Sequence, residues 1–311
     1  MKLAMVFPGQ GSQSVGMMGG YGDLPAVKAI LAEASDALSQ DLARLMADGP
    51  AEDLSRTVNT QPVMLAAGYA AYCAWTELGG REPSVVAGHS LGEYTALVVA
   101  GALRFGDALP LVRLRAQAMQ EAVPQGTGAM AAILGLDDDA ARAACAEAAQ
   151  GEVVEAVNFN APSQVVIAGH ASAVQRAIEA CKARGAKRAV MLPVSAPFHS
   201  SLMAPAAARL RQALAAVAIE TPRLPVVHNF DARTHAEPEA IRQALVRQAD
   251  HPVRWVACVR AIGASGATHV LECGPGKVLA PLVRRIDPGL TGIALADRAG
   301  IDQGLQSFRK D

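Results

Sequence analysis

The sequence predicts an α/β protein, a large hydrolase-like domain on a mainly parallel sheet with an inserted ferredoxin-like (βαββαβ) subdomain. Three observations carry this expectation. Short apolar runs at residues 3–7 and 84–87 each feed a glycine-rich turn with helical sequence beyond it, the order in which parallel strands alternate with covering helices. Between about 128 and 195 the pattern changes to strand, helix, two strands, helix, strand. The 311 residues, 51% hydrophobic and 18% charged, are enough for two domains with a large core. Because only 4% are aromatic, that core must be filled mainly by Ala, Val and Leu.

Residues 3–7 read as a buried strand, five apolar residues ended by Pro8-Gly9-Gln10-Gly11-Ser12-Gln13. Helices are expected over about 25–40 and 62–77. Residues 84–87 form the second strand, and Gly88-His89-Ser90-Leu91-Gly92 leads into a nearly all-apolar helix over 93–102. In the insertion, 129–134 is a strand. Asp137, Asp138 and Asp139 then open a helix to about 149, their charge complementing the positive end of its dipole. Strands over 153–157 and 164–168 flank a turn containing Asn160-Ala161-Pro162-Ser163. A helix over 172–184 carries Val174, Ala177, Ile178 and Cys181 on one stripe and stops at Gly185. Residues 188–194 supply the last strand. The expected division is 1–127 with 196–311 as the large α/β domain and 128–195 as the ferredoxin-like subdomain. Helices over 204–216 and 238–249 and strands over 225–229 and 268–272 complete the α/β pattern.

A formal charge of −1 gives no basic field for nucleic acid and no polybasic anchor for a membrane. The longest nearly apolar run, 63–75, falls short of the roughly 20 residues needed to span a bilayer. The first residues lack a signal-peptide core. Five widely spaced cysteines without a CxxC argue against a disulfide framework or structural zinc, and cysteine and histidine spacings offer no metal set. A cytoplasmic protein is expected.

Gly88-His89-Ser90-Leu91-Gly92 fits G-x-S-x-G, in which flanking glycines permit a strained strand-to-helix turn that lifts the serine hydroxyl out of the sheet. Ser90 is therefore the candidate nucleophile. The backbone N–H of Leu91, at the helix N-terminus, is placed to bind a developing oxyanion. A base is needed. His89 should point away from Ser90, which leaves His170, His199, His228, His235, His251 and His269. Periodicity does not choose among them, although His199 sits where the insertion rejoins the main domain, a boundary at which clefts form. Gly9-Gln10-Gly11-Ser12-Gln13-Ser14 lacks the third glycine of a dinucleotide fingerprint, and Gly274-Pro275-Gly276-Lys277 lacks the earlier glycine of a phosphate loop.

Seven ordered segments resemble the malonyl-CoA:acyl carrier protein transacylases of bacterial fatty acid synthesis. They are Phe7-Pro8-Gly9-Gln10-Gly11-Ser12-Gln13, Asn59-Thr60-Gln61-Pro62, Gly88-His89-Ser90-Leu91-Gly92-Glu93-Tyr94, Arg113-Leu114-Arg115-Ala116-Gln117-Ala118-Met119, Asn158-Phe159-Asn160-Ala161-Pro162, Pro197-Phe198-His199-Ser200 and Gly274-Pro275-Gly276. The resemblance implies that Ser90 attacks the thioester of malonyl-CoA with His199 as base, and that the malonyl group then passes to the phosphopantetheine thiol of an acyl carrier protein. It implies a backbone carbonyl, that of Gln248, orienting the histidine, and an oxyanion hole from the N–H groups of Leu91 and Gln10. It assigns Arg115 to the malonyl carboxylate, a role for which Arg113 is an equal candidate from residue type alone. Gln10 and Gln61 would line the pocket, and the bulk of Phe198 would disfavour an α-methyl branch.

No metal or cofactor is implied, and a monomer is expected. A carrier protein, expected to be acidic, would need a local basic patch, either Lys182, Arg184, Lys187 and Arg188 or Arg284-Arg285. Other readings of the same elbow are loading of a polyketide or malonate decarboxylase carrier protein, a serine esterase or thioesterase, and a non-catalytic carrier-binding module.

Overall fold

The computed structural model describes residues 2–194 and 196–308. Its strands, in chain order, are β1 (Leu3–Phe7), β2 (Val85–Gly88), β3 (Gly128–Leu134), β4 (Val154–Ala161), β5 (Gln164–His170), β6 (Arg188–Met191), β7 (Val226–Val227), β8 (His269–Glu272) and β9 (Thr291–Ala294). One sheet has the order β7-β2-β1-β8-β9 and is parallel throughout. The other has the order β4-β5-β3-β6 and is antiparallel throughout.

The apolar run of β1 puts it at the centre of the parallel sheet, buried along its whole length. Alternate side chains point to opposite faces. Leu3, Met5 and Phe7 join the larger core with the helices Thr57–Glu77 and Gly92–Val99. Ala4 and Val6 join a second core with the helices Trp255–Ala264 and Leu279–Ile286. Both faces are covered, which is why these strands read as continuous hydrophobic runs. No helix among the described residues is long and apolar enough to cross a membrane.

In the antiparallel sheet the first and third strands of the unit, β3 and β5, lie centrally, the order of a ferredoxin-like fold. Ala131, Ile133, Val165 and Ile167 pack against the helices Asp138–Ala149 and Ala171–Ala183. The first of these is capped by Asp137, whose side chain accepts from the Ala140 N–H. The second ends as expected at Gly185 (φ 94°), where the Gly185 and Ala186 N–H groups bond back to Lys182 and Cys181. The opposite face, with Met130, Val157, Val166 and Ala168, meets Leu192, Val194 and Phe198, so this sheet forms a wall near the junction with the larger unit.

Several boundaries differ from expectation for identifiable reasons. The helix expected over 62–77 begins at Thr57 and carries Pro62 inside it. Burial of Thr57, Thr60 and Gln61 accompanies this early start despite the hydrogen bond a proline cannot make. Strand β4 continues through Asn160 and Ala161, helped by irregular register, so the turn shrinks to Pro162-Ser163 with Ser163 at φ 58°. Strand β6 stops at Met191, just before Leu192-Pro193, since proline cannot donate to a ladder. The strand expected over 225–229 is reduced to Val226–Val227.

The closest backbone packing is at the turn after β2. A Cβ on Gly88 would lie 1.9 Å from the Gly92 carbonyl carbon, and one on Gly92 would lie 2.0 Å from the Phe7 carbonyl oxygen. Gly92→Ala should therefore lower unfolding free energy by at least about 2 kcal/mol in urea titration. Gly106→Ala, in a helix where a Cβ meets nothing within 4 Å, should be neutral or stabilising. Equal effects at the two positions would contradict this packing argument.

Candidate active site

Ser90 lies between β2 and the helix Gly92–Val99 with φ 52°, in the left-handed region that L-residues seldom occupy. The glycines on either side make that turn possible. A Cβ on Gly9 would lie 2.6 Å from the His89 carbonyl oxygen and 3.7 Å from the Leu91 nitrogen, so the loop after β1 lies directly against the elbow. This brings Gln10 into the same cleft as Leu91. Asn229, just beyond β7 and fully buried, braces the elbow from the other side. Its Oδ1 accepts from the Ser90 N–H at 2.7 Å, and its Nδ2 donates to the Gly88 carbonyl at 2.7 Å. Nothing in the local sequence marks Asn229, which follows a strand of only two residues.

Of the candidate histidines the structure brings His199 to Ser90, with Nε2 2.7 Å from Oγ. His199 is buried and also has a positive φ, 64°. Its Nδ1 lies 2.8 Å from the Gln248 backbone carbonyl. A carbonyl only accepts, so Nδ1 carries the proton and the Nε2 lone pair is left to accept from the serine hydroxyl. No carboxylate is needed to set that tautomer. Burial, and then the charge of Arg115, push the His199 pKa down to about 3, against the opposing effect of its hydrogen bond to Gln248. The imidazole is therefore neutral at pH 7. His228, His235 and His251 are paired with Glu93, Asp231 and Asp250, while His170 accepts from the Val153 N–H. His89 points away from Ser90, as expected, to Asn160 at 2.8 Å.

Arg115 and Arg113, two residues apart on the helix Phe105–Glu121, take different surroundings. Arg113 is partly exposed and reaches Gln40. Arg115 is 2% exposed and donates to Gln61 Oε1 at 2.6 Å, Gln248 Oε1 at 2.9 Å and Ser90 Oγ at 3.1 Å, with its guanidinium carbon 5.5 Å from the Tyr94 ring centre. All three acceptors are uncharged. Among the described residues no carboxylate forms an ion pair with it, and burial lowers its pKa from the ordinary arginine value. The result is a cation beside the candidate nucleophile without an anion in contact.

These groups open into a cleft of about 340 Å³. Gln10, Gln61, Leu91, Arg115 and His199 line one part of it, and Met130, Asn158, Leu192 and Phe198 come from the inserted sheet and its return segment. The cleft thus lies between the two sheets. The Gln10 side chain accepts from the Thr57 hydroxyl. The Gly274-Pro275-Gly276-Lys277 segment is a turn after β8, and the helix start beyond it is occupied by the protein's own Glu272 carboxylate. That group accepts from Val278 and Ala280 at 2.9 and 2.8 Å.

Among the described residues no group of three or more His, Cys, Asp or Glu could hold a metal ion, and the five cysteines are free thiols. In the two basic segments, Lys182 pairs with Glu179, Arg184 pairs with Glu147, and Arg285 reaches Gln164. A serine hydroxyl, a neutral imidazole acceptor and a buried guanidinium in one cleft suit acyl transfer of a group that itself carries a negative charge.

Known proteins resemble the chain over nearly its whole length. Residues 4–286 match the model of the acyl transferase domain family. A malonyl CoA-acyl carrier protein transacylase of Escherichia coli (strain K12) is 52% identical over 98% of this chain and 99% of its own. That of Bacillus subtilis (strain 168) is 43% identical over 100% and 98%. The crystal structure of an acyl-carrier-protein S-malonyltransferase from Burkholderia pseudomallei superposes with TM-score 0.97 at 62% identity, covering 98% of this chain and 100% of that one. A malonyl-transacylase in complex with a type II PKS acyl-carrier protein also gives 0.97, at 50% identity over 99% and 100%.

Asn229→Ala would leave the Ser90 N–H and the Gly88 carbonyl buried without partners, at about 1–3 kcal/mol each. Urea titration should show a loss of at least about 2 kcal/mol, and a change within about 0.5 kcal/mol would contradict the bracing role.

Proposed function

The chain belongs to the acyl transferase family, among its malonyl-CoA:acyl carrier protein transacylases, and from that premise we propose a mechanism in which it moves malonyl groups through a malonyl-serine. The observation that carries the reading is Arg115, a buried cation whose protein partners are all neutral and which donates to Ser90 Oγ. The donor is malonyl-CoA and the acceptor is the phosphopantetheine thiol of an acyl carrier protein, in fatty acid synthesis. A simple esterase has no use for such a cation.

In this reading Ser90 Oγ attacks the thioester carbonyl carbon while His199 Nε2 takes its proton. The negative charge that develops on the carbonyl oxygen is met by the N–H groups of Leu91 and Gln10. Collapse of the intermediate breaks the carbon–sulfur bond, and His199 returns the proton to the departing CoA sulfur. The carrier-protein thiol then repeats the sequence in reverse, His199 taking its proton and giving it back to Ser90 Oγ as the serine ester breaks. Each half balances with no redox change and no cofactor. Throughout, Arg115 holds the malonyl carboxylate, and Gln61 and Gln248 hold Arg115.

The cleft wall at Phe198, Met130 and Met119 sets the room left beside the acyl chain, which favours malonyl over methylmalonyl groups. Residues 1–127 and 196–311 would form the catalytic domain and 128–195 the subdomain that closes the cleft, with Ser195 at the boundary and outside the described residues. The free thiols suit a reducing cytoplasm. For an acidic carrier protein the exposed cations on offer are Lys187 and Arg188, at the edge strand β6, or Arg284 and Arg285 on the helix Leu279–Ile286.

Two measurements test the reading. Arg115→Ala should lower kcat/KM for malonyl-CoA by about a hundredfold or more, equivalent to about 3 kcal/mol, and leave acylation by acetyl-CoA much less affected. Equal losses with both donors would remove the carboxylate role. Because His199 is held neutral far below the usual imidazole range, kcat/KM for malonyl-CoA should not fall with a midpoint near 6.5 as pH drops. A midpoint there would contradict the buried, uncharged base.

A further inference from the structure

One buried carboxylate has no part in the chemistry above. Glu93, three residues after Ser90 in the first turn of the helix Gly92–Val99, is fully buried and meets no lysine or arginine at ion-pair distance among the described residues. Its Oε1 lies 2.7 Å from Nδ1 of the buried His228. Its Oε2 accepts two hydrogen bonds, from the Asn229 N–H at 2.9 Å and from Gln248 Nε2 at 2.9 Å.

Those two donors belong to the residues that hold the reacting groups. Asn229 binds the backbone on both sides of the elbow. Gln248 gives its backbone carbonyl to His199, its side-chain oxygen to Arg115 and, through Nε2, a hydrogen bond to the Ser90 carbonyl. A single carboxylate oxygen thus joins the supports of nucleophile, base and cation, which come from three segments distant in sequence.

We propose that Glu93 is a positioning residue that locks Asn229 and Gln248 together, so that Ser90, His199 and Arg115 share one frame, and that it acts through the reach of its hydrogen bonds rather than through its charge. This rests on the transfer mechanism proposed above. The geometry favours reach because the Gln248 amide stands between Glu93 and Arg115, and because both donors meet on one oxygen. A glutamine amide oxygen at that point can accept the same two bonds. Its NH₂ group can donate to His228 Nδ1 once the imidazole proton moves to Nε2, an atom that has no partner among the described residues. Aspartate keeps the charge but withdraws the oxygens by one methylene.

The test is the single-turnover rate of Ser90 malonylation at saturating malonyl-CoA, followed by quenched intact mass, for wild type, Glu93→Gln and Glu93→Asp, with thermal melting in parallel. Glu93→Gln should stay within about threefold of wild type, and Glu93→Asp should fall about tenfold or more, a change of about 1.4 kcal/mol in barrier. A purely structural role would lower melting temperature without moving the rate of the folded enzyme. Glu93→Asp within threefold of wild type, or Glu93→Gln falling as far as Glu93→Asp, would overturn the proposal. Absence of any adduct on the wild-type enzyme would instead count against the transfer mechanism itself.

Discussion

Taking a guanidinium out of water costs several kcal/mol unless hydrogen bonds and charge make up the loss, and at Arg115 the protein supplies hydrogen bonds but no anion in contact. Gln61, Ser90 and Gln248 each contribute one oxygen, and the Tyr94 ring lies at its face. Those partners come from the helix Thr57–Glu77, the elbow, the helix Pro238–Asp250 and the helix Gly92–Val99, so one cation draws four elements to the same point, with its Nε alone left without a partner among the described residues. In the proposed mechanism this uncompensated cation is what meets the malonyl carboxylate. Its neighbours are two amides and a hydroxyl rather than acids, so the proposed recognition and the packing would share one side chain.

The second constraint lies in the backbone. Ser90 and His199 both have positive φ, and contacts from distant segments hold both there, aided at Ser90 by the glycines on either side. At Ser90 the contacts are the glycine packing under the elbow and the Asn229 side chain. At His199 the fixed point is the Gln248 carbonyl, which sets the ring's tautomer and so its ability to accept a proton. In the proposed mechanism a backbone carbonyl suffices, because the imidazole would be neutral at rest and charged only during proton transfer.

These features differ in how far the sequence displays them. The elbow is legible because a strained strand-to-helix turn needs glycine at fixed offsets around the serine, and β1 and β2 are legible because strands buried on both faces must be apolar throughout. The parallel core and the inserted antiparallel unit follow from those patterns. His199 is different. It lies 109 residues from Ser90, and no periodicity connects them, so only resemblance to a family singled it out from the other histidines. Arg113 and Arg115 are alike as residue types, yet two steps along one helix turn one toward the cleft and the other toward Gln40. Asn229 and Glu93 show no local signal, because their roles consist of contacts with residues more than 130 positions away. The early start of the helix at Thr57 and the extension of β4 were hidden for a related reason, burial and pairing with remote segments outweighing a proline and a turn-like tetrapeptide.

The central claim is that the chain carries the malonyl group on Ser90 between two thiols. The most direct measurement is intact mass with peptide mapping after brief incubation with malonyl-CoA, followed by a chase with holo acyl carrier protein, for wild type and Ser90→Ala. The account predicts a malonyl adduct on the peptide containing Ser90, absent from Ser90→Ala and discharged onto the carrier protein much faster than to water. An adduct on another residue, or one lost to water at the same rate with and without carrier protein, would contradict it.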